Sequence, residues 1–127
     1  MIAIIDYGLG NLASVKNTLN RLKIPVIITS NIVGIQNSDA IILPGVGSAK
    51  QGMENLIKRK LDKVLIAEIK KGKPFLGICL GMQLLAEEGE EGGINIGLGW
   101  IKGKVKRLLV DETKFKIPHV GWNDVYP

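Results

Sequence analysis

Short apolar runs at residues 2–5, 26–28, 40–43 and 74–78 punctuate the first part of the chain, and they are continuous rather than alternating. That is the pattern of strands buried on both faces. Between the first two runs Leu12, Val15, Leu19 and Leu22 recur at helical spacing, with Pro25 ending the element. Only a short turn is expected between the second and third runs. Between the third and fourth, Ile57, Leu61, Val64, Leu65 and Ile69 repeat the helical period, and Gly72 closes it. The order strand, helix, strand, turn, strand, helix, strand predicts an α/β fold with an open, mostly parallel sheet and helices on both faces. Residues 80–86 read as a further helix, and the acidic segment 87–93 as a solvated turn. Residues 98–110 and 117–125 alternate and carry glycine, which predicts a β-rich extension after residue 97.

With 127 residues and 46% hydrophobic content, the chain fits one domain spanning 1–127 with a real core. No apolar run reaches the roughly 18 residues a membrane helix needs, and the first residues lack a basic segment or cleavage site, so a soluble cytoplasmic protein that avoids membranes is expected. The net charge is +5, but the basic clusters at 58–60, 70–71 and 102–107 are scattered and no aromatic residues interleave with them to stack bases. They read as solvated faces rather than a nucleic-acid surface, and the charge also suits an anionic substrate or an acidic partner surface. One cysteine and one histidine leave no internal disulfide and little for a metal site. Cys79 is therefore a buried filler or a reactive thiol, and no metal is expected.

Context favours the reactive thiol. Gly77-Ile78-Cys79-Leu80-Gly81 follows an apolar run and opens a helical pattern, as a nucleophile elbow does with Cys in place of Ser. Flanking glycines suit a sharp turn in which neighbouring Cβ atoms collide. The helix N-terminus favours a thiolate, and the Leu80 N–H is placed to donate to an oxyanion. Pro44-Gly45-Val46-Gly47 ends the third run, where open α/β sheets keep their ligand crevice. Glycines on both sides of Val46 allow a peptide flip, so this loop is expected to act as a switch supplying a second oxyanion donor; the plainer reading is an ordinary strand-to-helix loop. Gly8-Leu9-Gly10-Asn11-Leu12-Ala13 matches a dinucleotide-binding fingerprint, but the second strand ends without the carboxylate that would hold a ribose, which disfavours a nucleotide. His119 has no carboxylate at a useful spacing to orient it as a base, so a structural or interface role is expected. Trp100 and Trp122 read as core or interface aromatics.

The elbow running on to Met82-Gln83, the loop 44–47, the start Asp6-Tyr7-Gly8-Leu9-Gly10-Asn11 and the segment Pro118-His119-Val120-Gly121-Trp122-Asn123 together resemble the class I glutamine amidotransferases. Within them the first and last motifs are most similar to the glutaminase-subunit family of imidazole glycerol phosphate synthase, and the resemblance runs from end to end of the chain. It implies a flavodoxin-like strand order and Cys79 as nucleophile. Oxyanion amides would come from Val46 and Leu80, and glutamine contacts from Gly45, Gly47 and Gln83. Asn11, Pro118 and Trp122 match positions facing a (β/α)8-barrel cyclase partner in histidine biosynthesis. No cofactor is implied. The resemblance also implies a His-x-Glu pair completing a triad, and no His here is followed two positions later by Glu. The expectation is therefore an N-terminal part of such a domain, incomplete at its C-terminus and inactive alone. Alternatives are a glutaminase of another class I pathway and a non-catalytic interaction module.

Overall fold

The computed structural model describes residues 1–126. Four strands, β1 (Ile2–Ile5), β2 (Val26–Thr29), β3 (Ala40–Leu43) and β4 (Phe75–Gly77), form a parallel sheet in the order β2-β1-β3-β4. The flavodoxin-like order holds. Helix α1 (Leu12–Arg21) links β1 to β2, while α2 (Ile32–Gln36), α3 (Ala49–Lys58) and α4 (Leu61–Lys70) lie on the path back past β1 to β3 and β4. Right-handed crossovers running in opposite directions along a sheet put their helices on opposite faces, so α1 covers one face and α2, α3 and α4 the other.

The two faces are unequally filled. Ala3, Ile5 and Tyr7 from the first strand and its extension, with Ile41 and Leu43 from β3, meet Ile35, Leu56, Leu61, Leu65, Leu80 and Leu84 in one buried cluster. Each fully buried Leu or Ile is worth about 1.5–3 kcal/mol over leaving it exposed. The opposite face buries Ile4 and Ile42, yet α1 has no fully buried residue. Trp100 and Phe75 close the end of the main cluster edge to face, with ring centroids 5.4 Å apart. One buried carboxylate pins the helical layer: Glu68, 2% exposed, pairs with Lys71 at 2.6 Å and Lys73 at 2.8 Å. Lys73 also donates to the Ile35 and Gln36 carbonyls, tying α2 to the entry of β4. Hydrogen bonds from Lys71 and then Lys73 hold the Glu68 carboxyl below its ordinary pKa.

Several sequence expectations need correction. Only β1 and β3, the central strands, are buried beyond their first residues; Ile28 and Leu76 on the edge strands are 36% and 53% exposed. The short turn after β2 contains α2, whose Asn31 cap accepts from the Val33 and Gly34 amides. The single helix before β4 is two helices, broken where Lys60 takes a left-handed conformation. Helix 80–86 shrinks to α5 (Leu80–Gln83), and the acidic turn begins as a strand, β5 (Ala86–Gly89). That strand pairs with β6 (Asn95–Ile96) and β7 (Ile101–Val105) in a second, mixed sheet. The β-rich extension is real but ends at Val105, and residues 117–125 carry no strand.

Candidate active site

At the strand-order reversal between β1 and β3, three loops picked out by sequence meet at the carboxyl ends of the strands. A switch point of this kind leaves a crevice outside the sheet edge. The elbow 77–81 is held tightly there. Cys79 takes φ 54° and ψ −117°, a conformation that a non-glycine residue keeps only when its surroundings enforce it. The enforcement is visible in the packing. A Cβ on Gly81 would lie 1.8 Å from the Leu43 carbonyl oxygen, and one on Gly77 would lie 2.7 Å from Met82 Cα. Neither neighbour is free to yield, because both are backbone. The turn thrusts Cys79 outward, and its thiol is exposed. Because α5 is a single turn, any dipole effect at Cys79 comes from a few amides rather than from a long helix.

Those amides are nearly all spent within the elbow. Gly81 donates to the Ile78 carbonyl, and Met82 and Gln83 donate to that of Cys79, at 2.9–3.0 Å. Leu80 is different. Its N–H reaches across to the Gly45 carbonyl at 3.3 Å. A trans peptide points its N–H opposite its C=O, so while Gly45 faces Leu80 the Val46 amide faces away. The two expected oxyanion donors, Val46 and Leu80, are thus close in the fold but do not converge here.

The Gly45 backbone is clamped on three sides. A Cβ at Gly10 would sit 3.2 Å from Gly45 Cα, and one at Gly45 itself would sit 2.2 Å from the Tyr7 hydroxyl and 2.9 Å from Leu80 Cβ. Val46 and Gly47, by contrast, are exposed, and Gly47 takes φ 106° with open space around it. Tyr7 was not singled out by sequence reasoning, although the buried alternation Ala3, Ile5, Tyr7 was there to be read. Its side chain is fully buried, and among the described residues its hydroxyl has no hydrogen-bond partner. Burial, and then the charge of the nearby Cys79, push the Tyr7 hydroxyl up to about 12.

Gln83 is half-buried and lines a narrow crevice with Ala49, Glu88, Asn95 and Val105, on the side of α5 toward the second sheet. Asn11 caps α1, its side chain accepting from the Ser14 amide at 3.1 Å, and is otherwise exposed. Pro118 and His119 are exposed, and the His119 ring contacts Asn123 rather than any elbow residue. Trp122 stands fully in solvent, whereas Trp100 is packed against the core. Among the described residues no group of three His, Cys, Asp or Glu side chains is placed to hold a metal ion. Among the same residues no helix is long and apolar enough to cross a membrane.

Residues 3–124 match the family glutamine amidotransferase class-I. The chain is 48% identical over 126 residues to the imidazole glycerol phosphate synthase subunit HisH of Bacillus subtilis, covering 97% of this chain and 59% of the relative. It is 45% identical over 129 residues to the protein of the same name from Zymomonas mobilis, covering 98% and 61%. The chain therefore spans about three fifths of the length of the curated relatives it matches. A crystal structure of a glutamine amidotransferase superposes with a TM-score of 0.71 at 20% identity, covering 84% of this chain and 57% of that one, a likeness of fold.

Proposed function

We propose, from the premise that this chain belongs to the class I glutamine amidotransferase family, that it carries the nucleophile half of a glutaminase subunit of imidazole glycerol phosphate synthase. One observation supports this most: the only thiol in the sequence sits exposed on a left-handed backbone, one residue before an amide engaged by the loop 44–47. In this reading Cys79, as thiolate, attacks the carboxamide carbon of glutamine. The C–N bond breaks and ammonia leaves with a proton from a general acid, leaving a glutamyl thioester. Water then hydrolyses the thioester to glutamate and returns the thiol. Gly45, Gly47 and Gln83 contribute the glutamine contacts, and no cofactor is needed. Ammonia passes to a (β/α)8-barrel cyclase subunit in the cytoplasm, which docks on the exposed Asn11, Pro118 and Trp122.

The acid and base belong to a His-x-Glu pair, which the sequence 1–127 does not contain, so these residues alone are catalytically idle as a glutaminase. General acid–base catalysis is worth roughly 10²–10⁴-fold. The Gly45 carbonyl occupies the Leu80 N–H, which gives the loop 44–47 a resting role: it blocks the oxyanion site until the peptide turns and presents the Val46 amide. Losing one such donor typically costs about 10²–10³ in rate, enough to restrain idle glutamine hydrolysis until the partner is ready.

The test is Cys79→Ser in the full-length subunit assayed with the barrel partner. Ammonia release should vanish while the circular dichroism spectrum and partner binding persist. Release at the wild-type rate removes Cys79 from the mechanism. His119→Ala serves as the second arm and is expected to leave turnover intact.

A further inference from the structure

Tyr7 is the one buried polar side chain at this site that the chemistry above does not use. Its ring completes the core cluster at the end of β1, and its hydroxyl lies directly under the Gly45 Cα. Among the described residues nothing accepts its proton. Phenylalanine would fill the same volume without burying an unsatisfied donor, which is destabilising in the resting conformation. The hydroxyl therefore has no use in the state seen, and it lies against the backbone whose carbonyl must move if the loop is to turn.

When the Gly45–Val46 peptide rotates, the Gly45 carbonyl gives up the Leu80 N–H and needs another donor, because a buried carbonyl left without one resists the rotation. Gly45 is buried between the Gly10 loop, the elbow and Tyr7. Gly81, Met82 and Gln83 donate within the elbow, and the Leu80 N–H is the donor being given up. An unspent donor set against Gly45 is the Tyr7 O–H. We infer that Tyr7 is a positioning residue, whose hydroxyl receives the Gly45 carbonyl in the turned loop and so holds the Val46 amide toward the thiol. Burial keeps this hydroxyl protonated across the working pH range, as a donor requires. The inference rests on the switch reading of the loop given above.

The experiment is Tyr7→Phe in the full-length subunit complexed with its barrel partner, with glutaminase activity measured with and without the partner's own ligand. One hydrogen bond of ordinary net strength shifts such an equilibrium by roughly tenfold. The ligand-stimulated kcat should fall about that much, KM for glutamine and the unstimulated rate should hold, and the thermal midpoint should stay or rise. Equal stimulation in wild type and variant overturns the latch while leaving the switch standing. A lower midpoint in the variant also overturns it, since the hydroxyl would then be satisfied in the resting state. Absence of any stimulation in the wild-type complex fells the switch itself, and the latch with it, a result distinct from the other two. Tyr7→Leu is the packing control: unlike Tyr7→Phe it should lower the midpoint, so a loss of stimulation seen only in the leucine variant assigns Tyr7 to the core alone and overturns the latch.

Discussion

The first 85 residues and the last 40 or so are built on different terms. In the first, Ile5, Leu43, Leu56, Leu65, Leu80 and Leu84 are inaccessible or nearly so, and glycines at 45, 77 and 81 have no room for a methyl group. In the second, Leu109, Val120, Trp122, Val125 and Tyr126 are each more than four-fifths exposed, and Gly92, Gly99 and Gly121 face open space. Leu98 and Trp100 still pack against the core, but beyond β7 the segment is positioned by local bonds such as Arg107 to Glu112 and Thr113 to Asp111. The contrast separates a half whose residues are used on each other from a half whose apolar side chains are offered to something else. Under the proposed function, that something is the barrel subunit.

The sharpest way to break the contrast is a single methyl group in each half. Gly81→Ala drives a Cβ into the Leu43 carbonyl, and overpacking against backbone that cannot yield should cost about 3 kcal/mol or prevent folding. Gly121→Ala meets nothing within 4 Å and should change stability by less than about 0.5 kcal/mol. Urea unfolding of both variants decides this, and equal losses would erase the distinction. A smaller effect is expected from Trp122→Ala. Stability should be unaffected, but calorimetric affinity for the barrel subunit should drop by about 2 kcal/mol if this aromatic is an anchor.

The smallest effects concern pH, and both belong to the packed half. The Tyr7 hydroxyl is raised from 10.0 to about 12, so its contribution is whole below pH 10 and is lost as pH rises toward 12. Tyr7→Phe should flatten the alkaline limb of the stability curve in that window, and an unchanged limb would show that the hydroxyl is not buried in solution. Glu68 has the opposite sign: its lowered pKa gives stability that is present above the ordinary glutamate range and lost as pH falls through the depressed value. Glu68→Gln should make the acid limb shallower, and an unchanged limb would show that the carboxylate is not held by its two lysines.

Legibility in the sequence follows the same division. β1, β3 and the elbow were readable because burial on both faces, or collision at a turn, leaves few residue types able to stand there. What escaped was decided by partners distant in the chain or by single backbone choices. Helix α2 buries only Ile35 and depends on the Asn31 cap, a signal that also suits a turn. The break between α3 and α4 turns on Lys60 adopting a left-handed conformation, which its side chain does not announce. β5 looked like a solvated acidic turn because its supports lie elsewhere: Lys104 pairs with Glu88 at 2.5 Å, and the Gly103 amide donates to Glu87. At the site, the elbow and the loop 44–47 were picked out by residue type and spacing, and the fold sets them side by side. Tyr7 was passed over as part of a motif, because nothing in the sequence tells a buried hydroxyl with a partner from one without.

The glycines around the elbow carry a lesson for anyone wishing to re-tool this site. With Gly45, Gly77 and Gly81 each fixed by contacts a single carbon atom would violate, these three floor positions offer no room for new side-chain chemistry. Variation has to enter from the rim, where Val46 and Met82 are each 56% exposed. Libraries that hold the mould constant and diversify those two rims should yield folded variants far more often than libraries that randomise the motif, so the practical design space here is two positions wide.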